Sequence, residues 1–163
     1  NSLQASAGCG RNLDIVKYLV DKGVDVNAQT GVYGNALQAA VGPGGNLDIV
    51  KFLVENGANV NAHGGEYGNA LQTAISWGKV DIMKILVENA ANVNARGGEH
   101  GNALQAAVCS GKADIVKYLV EQGADVNEVT LQAAQSVRKL NHVANFSGVN
   151  NTMCVITRSR RIV

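Results

Sequence analysis

The feature that most constrains this chain is a repeat. The phrase Asn-Ala-Leu-Gln-Ala-Ala occurs at 35–40 and 102–107, with Asn-Ala-Leu-Gln-Thr-Ala at 69–74 and Ser-Leu-Gln-Ala-Ser at 2–6. Leu3, Leu37, Leu71 and Leu104 therefore lie 34, 34 and 33 residues apart. A second phrase, Asp-Ile-Val-Lys-Tyr-Leu-Val and its variants, starts at Asp14, Asp48, Asp81 and Asp114 and keeps the same register. A fixed period of this length means one supersecondary unit copied along the chain, each copy covering the apolar face of its neighbour. One extra residue separates the two phrases in the first two units, within 8–11 and 42–45. An insertion tolerated there marks a surface turn.

Within a unit the apolar periods decide the elements. Leu37, Ala40 and Val41 recur at helical spacing after Asn35, whose side chain can accept from an unpaired N–H at a helix start. This predicts a short first helix. Ile49, Val50, Leu53 and Val54 form an apolar stripe opposite Asp48, Lys51 and Glu55, which predicts a second, amphipathic helix in every unit. It should end at Gly23, Gly57 and Gly123, since a residue without Cβ closes a helix most easily in the left-handed conformation. Ala90 takes that place in the third unit and should be strained there. The segments 60–67 and 93–100 place Gly-Gly between short extended arms, a hairpin signal. Each unit reads helix, turn, helix, hairpin.

The period, together with the pattern G-x-x-D-I-V-K-x-L-V-x-x-G-A-x-V-N-A over Gly45–Ala62 and Gly111–Asn127, resembles the ankyrin-repeat family over about residues 1 to 136. The resemblance implies an all-α solenoid of stacked helix-turn-helix units linked by β-hairpin loops. The family's usual T-P-L-H at the first helix is here N-A-L-Q, so Asn35 would cap where the family has Thr, and Ala36 stands in place of its Pro. The Y-G-N-A-L-Q-A-A wording resembles arrays of filamentous fungi, often attached to larger signalling or nucleotide-binding proteins.

Neither end of the array reads as finished. The first unit starts inside its first helix, and a fifth begins at Leu131 with six hairpin residues missing before it. From Val137 onward the second phrase never returns, and the charge changes character. Residues 1 to 136 hold 9 basic and 13 acidic residues, whereas 137 to 163 hold Arg138, Lys139, Arg158, Arg160 and Arg161 with no acid. Two regions follow: an array of about four repeats over 1–136, the first truncated, and a basic non-repeat tail over 137–163. Asn1 is not followed by the basic region and apolar core of a signal peptide, and the sequence reads as cut out of something longer.

Signatures of chemistry are missing. Gly78-Lys79 and Gly111-Lys112 are followed by Val80 and Ala113 instead of Ser or Thr, so neither is a phosphate-cradling loop. No G-x-S-x-G or H-E-x-x-H occurs, and His63, His100 and His142 are scattered. Cys9, Cys109 and Cys154 give neither a disulfide framework nor a CxxC spacing, which fits a reducing, intracellular setting, cytoplasmic or else nuclear. No run approaches the roughly 18 apolar residues of a membrane helix. No catalytic residue, cofactor, metal or small-molecule substrate is therefore expected. The recurrent Asp14, Asp48, Asp81 and Asp114 fall in a first helical turn, where they complement the helix dipole. Asn27, Asn61, Asn94 and Asn127 recur beside turns, and the family resemblance implies that they tie loop backbones together.

Function should lie where the repeats differ, because packing positions are constrained and exposed ones are free. The resemblance implies a concave surface of hairpin tips and first helices, with another protein as the partner. The differing positions along it are Gln29, His63 and Arg96, Val32, Glu66 and Glu99, and Tyr33, Tyr67 and His100 in the hairpins, and Pro43, Ser76, Trp77, Cys109 and Ser110 at first-helix ends. Of these, Tyr33, Glu66, Tyr67, Ser76, Trp77, Glu99, His100 and Ser110 are the expected contacts. Tyr and Trp dominate interface hot spots, although the tyrosines could equally brace adjacent hairpins. The expected function is a non-catalytic protein-protein interaction scaffold. Two alternatives stand beside it: a recognition module of a larger protein whose enzymatic domain lies elsewhere, and weak nucleic-acid binding through the basic tail, which lacks the interleaved aromatics of a stacking platform.

Overall fold

The computed structural model describes residues 1–10, 12–30, 33–127 and Gln132. Eight helices lie among them: α1 (Ser2–Gly8), α2 (Leu13–Asp21), α3 (Ala36–Val41), α4 (Leu47–Glu55), α5 (Ala70–Ser76), α6 (Val80–Glu88), α7 (Ala103–Cys109) and α8 (Ala113–Glu121). They fall into two compact units. The first holds Asn1–Asn92 with Gly97–Glu99, and the second holds Val93–Arg96 and the described residues from His100 onward. The fifth-repeat start at Leu131 and the tail at 137–163 lie outside the described residues.

The odd-numbered helices are short, and α3, α5 and α7 are buried almost all round. Every residue of α3 and all of α5 from Ala70 to Ile75 are buried. Small alanines, two in α1, three in α3 and two in α5, let α3 pack against α1 on one side and α5 on the other. Each starts at an asparagine: Asn35, Asn69 and, in the second unit, Asn102 accept from the backbone N–H three residues on at 2.8–2.9 Å. Asn1 does the same for α1, accepting from Gln4 N–H at 2.8 Å.

The even-numbered helices are amphipathic as the pattern requires. In α4, Ile49, Val50 and Leu53 are fully buried while Lys51 faces solvent. At the equivalent place in α2, Ile15 is 47% exposed. These helices close where glycine was expected: Gly23, Gly57 and Gly123 have φ of 81, 82 and 86°. The N–H groups there and one residue on bond back to the last turn, as in Gly57 to Val54 O (3.1 Å) and Ala58 to Leu53 O (2.9 Å). Ala90 adopts the same geometry at φ 62° with the same pair of bonds, and among the described residues it is the single non-glycine with positive φ.

The hairpins differ from expectation. No strand ladder forms among the described residues; the loops fold back through Thr30 N–H to Gly34 O at 2.8 Å and Gly64 N–H to Gly68 O at 2.9 Å, and the second unit has an isolated bridge between Arg96 and Asn102. Asparagine side chains tie together the segments just ahead of these loops. Asn27 donates to Gly57 O (2.9 Å) and accepts from Asn59 N–H (2.7 Å), and Asn61 makes the same pair with Ala90 and Asn92. In the second unit Asn94 repeats it with Gly123 and Asp125. In the loop ahead of α5, Gln38 Nε2 claims the Ala62 and Gly64 carbonyls, groups that a ladder would use.

Candidate protein-interaction site

In the first unit the loop ahead of α3, the loop ahead of α5 and the C-terminal ends of α3 and α5 border one pocket of about 100 Å³. Tyr33 and the run Gly64–Tyr67 come from the two loops, Gly42 and Pro43 from the turn after α3, and Trp77 from the turn after α5. α3 and α5 are buried along most of their lengths and add only Gln38 and Thr73 to the lining.

Two glycines make the loops fit. Gly34 (φ 84°) and Gly68 (φ 89°) immediately precede the capping asparagines. A Cβ on Gly34 would run into the Gln38 amide and the Gly64 carbonyl carbon, and one on Gly68 into the Gly97–Gly98 backbone and the Gln72 amide. Gln38 is the hub of this packing. Its Oε1 accepts from Asn35 N–H at 3.0 Å, while its Nε2 donates to Gly64 O (2.8 Å) and Ala62 O (3.3 Å). The glutamine of N-A-L-Q thus clips its own helix cap to the following loop. The sequence reading missed this role; the signal was a buried-register glutamine recurring at Gln4, Gln38, Gln72 and Gln105.

Of the eight residues singled out from sequence, Tyr33, Glu66, Tyr67 and Trp77 line this pocket. Tyr33 and Trp77 are 55% and 42% exposed, large values for such rings. Tyr67 is half-buried and meets Trp77 edge to face, with ring centroids 6.2 Å apart and planes at 73°. Ser76 is half-buried beside Trp77, and its hydroxyl oxygen is buried without a hydrogen-bond partner among the described residues. Glu99 is exposed at the tip of the next loop and is not among the pocket's lining residues. His100 and Ser110 belong to the second unit, where His100 is half-buried and the Ser110 hydroxyl donates to Ala106 O at 2.8 Å.

Among the described residues, no group of three or more His, Cys, Asp or Glu converges, and no helix is long and apolar enough to cross a membrane. Partial burial pushes the Cys109 thiol above its ordinary pKa, although the residue as a whole is exposed.

Helix pairs closed by a left-handed residue, glycine in three and Ala90 in the fourth, and tied loop to loop by asparagine define a helical repeat protein. The family model described as ankyrin repeats (3 copies) matches residues 1–64 and 63–130. The chain belongs to the ankyrin-repeat family, whose members bind other proteins and are generally non-catalytic. No curated protein matches it.

Proposed function

We propose that this chain is a non-catalytic scaffold that binds a partner protein through its loop tips and first-helix ends, in the cytoplasm or nucleus. Tyr33, Glu66, Tyr67 and Trp77 are the central contacts; Ser76, Glu99, His100 and Ser110 are assigned to the same role by their repeat positions. The basic tail at 137–163 is a separate region outside the array. The observation that carries this reading is the pairing of two half-exposed aromatic rings, Tyr33 and Trp77, with a pocket held by buried hydrogen bonds. Rings kept exposed on a rigid frame offer large contact area at little entropic cost.

The test is affinity capture with quantitative proteomics, comparing wild type, a Tyr67→Ala/Trp77→Ala double variant and a Lys51→Glu/Lys84→Glu double variant on the exposed face of α4 and α6. The aromatic variant should weaken partner binding by roughly 2 kcal/mol, about thirtyfold, with unchanged helix content. The charge-reversed variant should retain it. The opposite pattern would move the binding face to the second helices.

A further inference from the structure

The pocket between the two loops has a chemistry more specific than an aromatic patch. At about 100 Å³ it is well below the roughly 300–1,000 Å³ of sites for drug-sized ligands, yet it holds several times the volume of one water. One side-chain head fits there. Its rings are Tyr33, Tyr67 and Trp77, and the near-perpendicular setting of the last two forms a corner.

The polar groups of the lining are mostly engaged. Both ends of the Gln38 amide are bonded to backbone, and the Thr73 hydroxyl donates to Asn69 O at 2.8 Å. Glu66 is the only charged residue in the lining. Among the described residues no ion pair engages its carboxylate, the single described pair being Lys117 with Glu121. Ring faces and a free carboxylate are both electronegative and both attract a cation. Glu66 is exposed at the pocket's edge; an acidic or phosphorylated group is repelled there, and a purely apolar head makes no use of the carboxylate.

Resting on the binding face proposed above, we propose that this pocket receives an arginine side chain from the partner. Arginine fits better than lysine because a planar guanidinium stacks on an aromatic face while its N–H fork meets a carboxylate, and because it sheds water more easily than an ammonium. Electrostatic attraction to Glu66 orients the guanidinium, and the ring corner holds its flat face.

Trp77 is the only tryptophan in the sequence, so its fluorescence reports occupancy of this pocket alone. The experiment titrates the full chain with Gly-flanked pentapeptides bearing arginine, citrulline, lysine or norleucine at the centre. Citrulline keeps the shape of arginine and removes its charge. The arginine peptide should give a saturable change in Trp77 emission and bind at least tenfold more tightly than the citrulline peptide. Glu66→Gln should erase that preference with the melting temperature unchanged, and Lys84→Glu should keep it. Citrulline or norleucine binding as tightly as arginine, lysine matching arginine, no saturable response to arginine, or a preference that survives Glu66→Gln would each overturn the assignment. The two proposals fail separately. Loss of partner capture in the Tyr67→Ala/Trp77→Ala variant without any arginine response removes the guanidinium assignment and leaves the binding face. An arginine response alongside undiminished capture by that variant removes the binding face.

Discussion

The turn from α3 to α4 and the turn from α5 to α6 join equivalent helices by different means. The longer one, Gly42-Pro43-Gly44-Gly45-Asn46, ends in a cap: the Asn46 side-chain Oδ1 accepts from Asp48 and Ile49 N–H at 2.9 and 3.2 Å, and its Nδ2 donates to Gly10 O at 2.9 Å. The shorter one, Trp77-Gly78-Lys79, closes α5 through backbone alone, with Gly78 N–H to Ile75 O (3.0 Å) and Lys79 N–H to Ala74 O (2.8 Å), and gives α6 no side-chain cap. The extra residue is thus the room needed for an asparagine cap and for glycine-to-glycine contact with the preceding turn. That contact keeps the longer turn small, whereas the shorter turn is free to carry a tryptophan. Small groups on one side and a ring on the other leave the pocket between them.

Breaking the glycine contact should have the largest effect. Gly10 (φ 61°) abuts the Gly44 carbonyl, so Gly10→Ala adds overpacking to left-handed strain, and chemical denaturation should register a loss of about 2–4 kcal/mol. Gly111, in the shorter turn type, has φ 66° but open space where its Cβ would go. Gly111→Ala should therefore cost only about 1 kcal/mol; equal losses at the two sites would refute the role given to the contact.

Removing the cap comes next. Asn46→Ala should lower stability by about 1–2 kcal/mol, and Lys79→Asn, which offers α6 the missing cap, should raise it by up to about 1 kcal/mol. A neutral result for both would mean that the tight turn, not the cap, fixes the helix start. Ala90→Gly should stabilise by about 1 kcal/mol, because glycine adopts φ 62° without the Cβ penalty; thermal denaturation at matched concentration reads the sign. The smallest effect is chemical. With its pKa raised by burial, Cys109 holds less thiolate at pH 8 than an unperturbed thiol, so iodoacetamide should label it more slowly than a model peptide, the gap closing as pH rises.

The helices were legible because their signals are local. Asn35 before an apolar run, and glycine after one, specify a cap and a closure whatever lies beyond, and even the strained Ala90 could be read from its place in the repeat. The loops were not. Gly34 and Gly68 must be glycine because another segment's backbone lies against them, and Gln38 matters because a loop some 26 residues away presents Gly64 O to it. Such demands come from packing and leave no periodic trace beyond the recurrence itself. Four of the eight candidate contact residues meet around the pocket because Tyr33, Glu66 and Tyr67 sit on loops whose spacing the repeat fixes, with Trp77 one helix further on. Sequence located the positions; the acidic, aromatic character of the cavity emerged only once the two loops were folded against each other.

The asparagine clips have a mechanical meaning. Asn27, Asn61 and Asn94 each hold a carbonyl and an N–H of the next loop with opposite ends of one amide, so both bonds let go when that single side chain turns away. Each clip is therefore a two-point fastening governed by one side-chain torsion, shut or open as a whole, and a single rotamer change unties the loop it holds at both points.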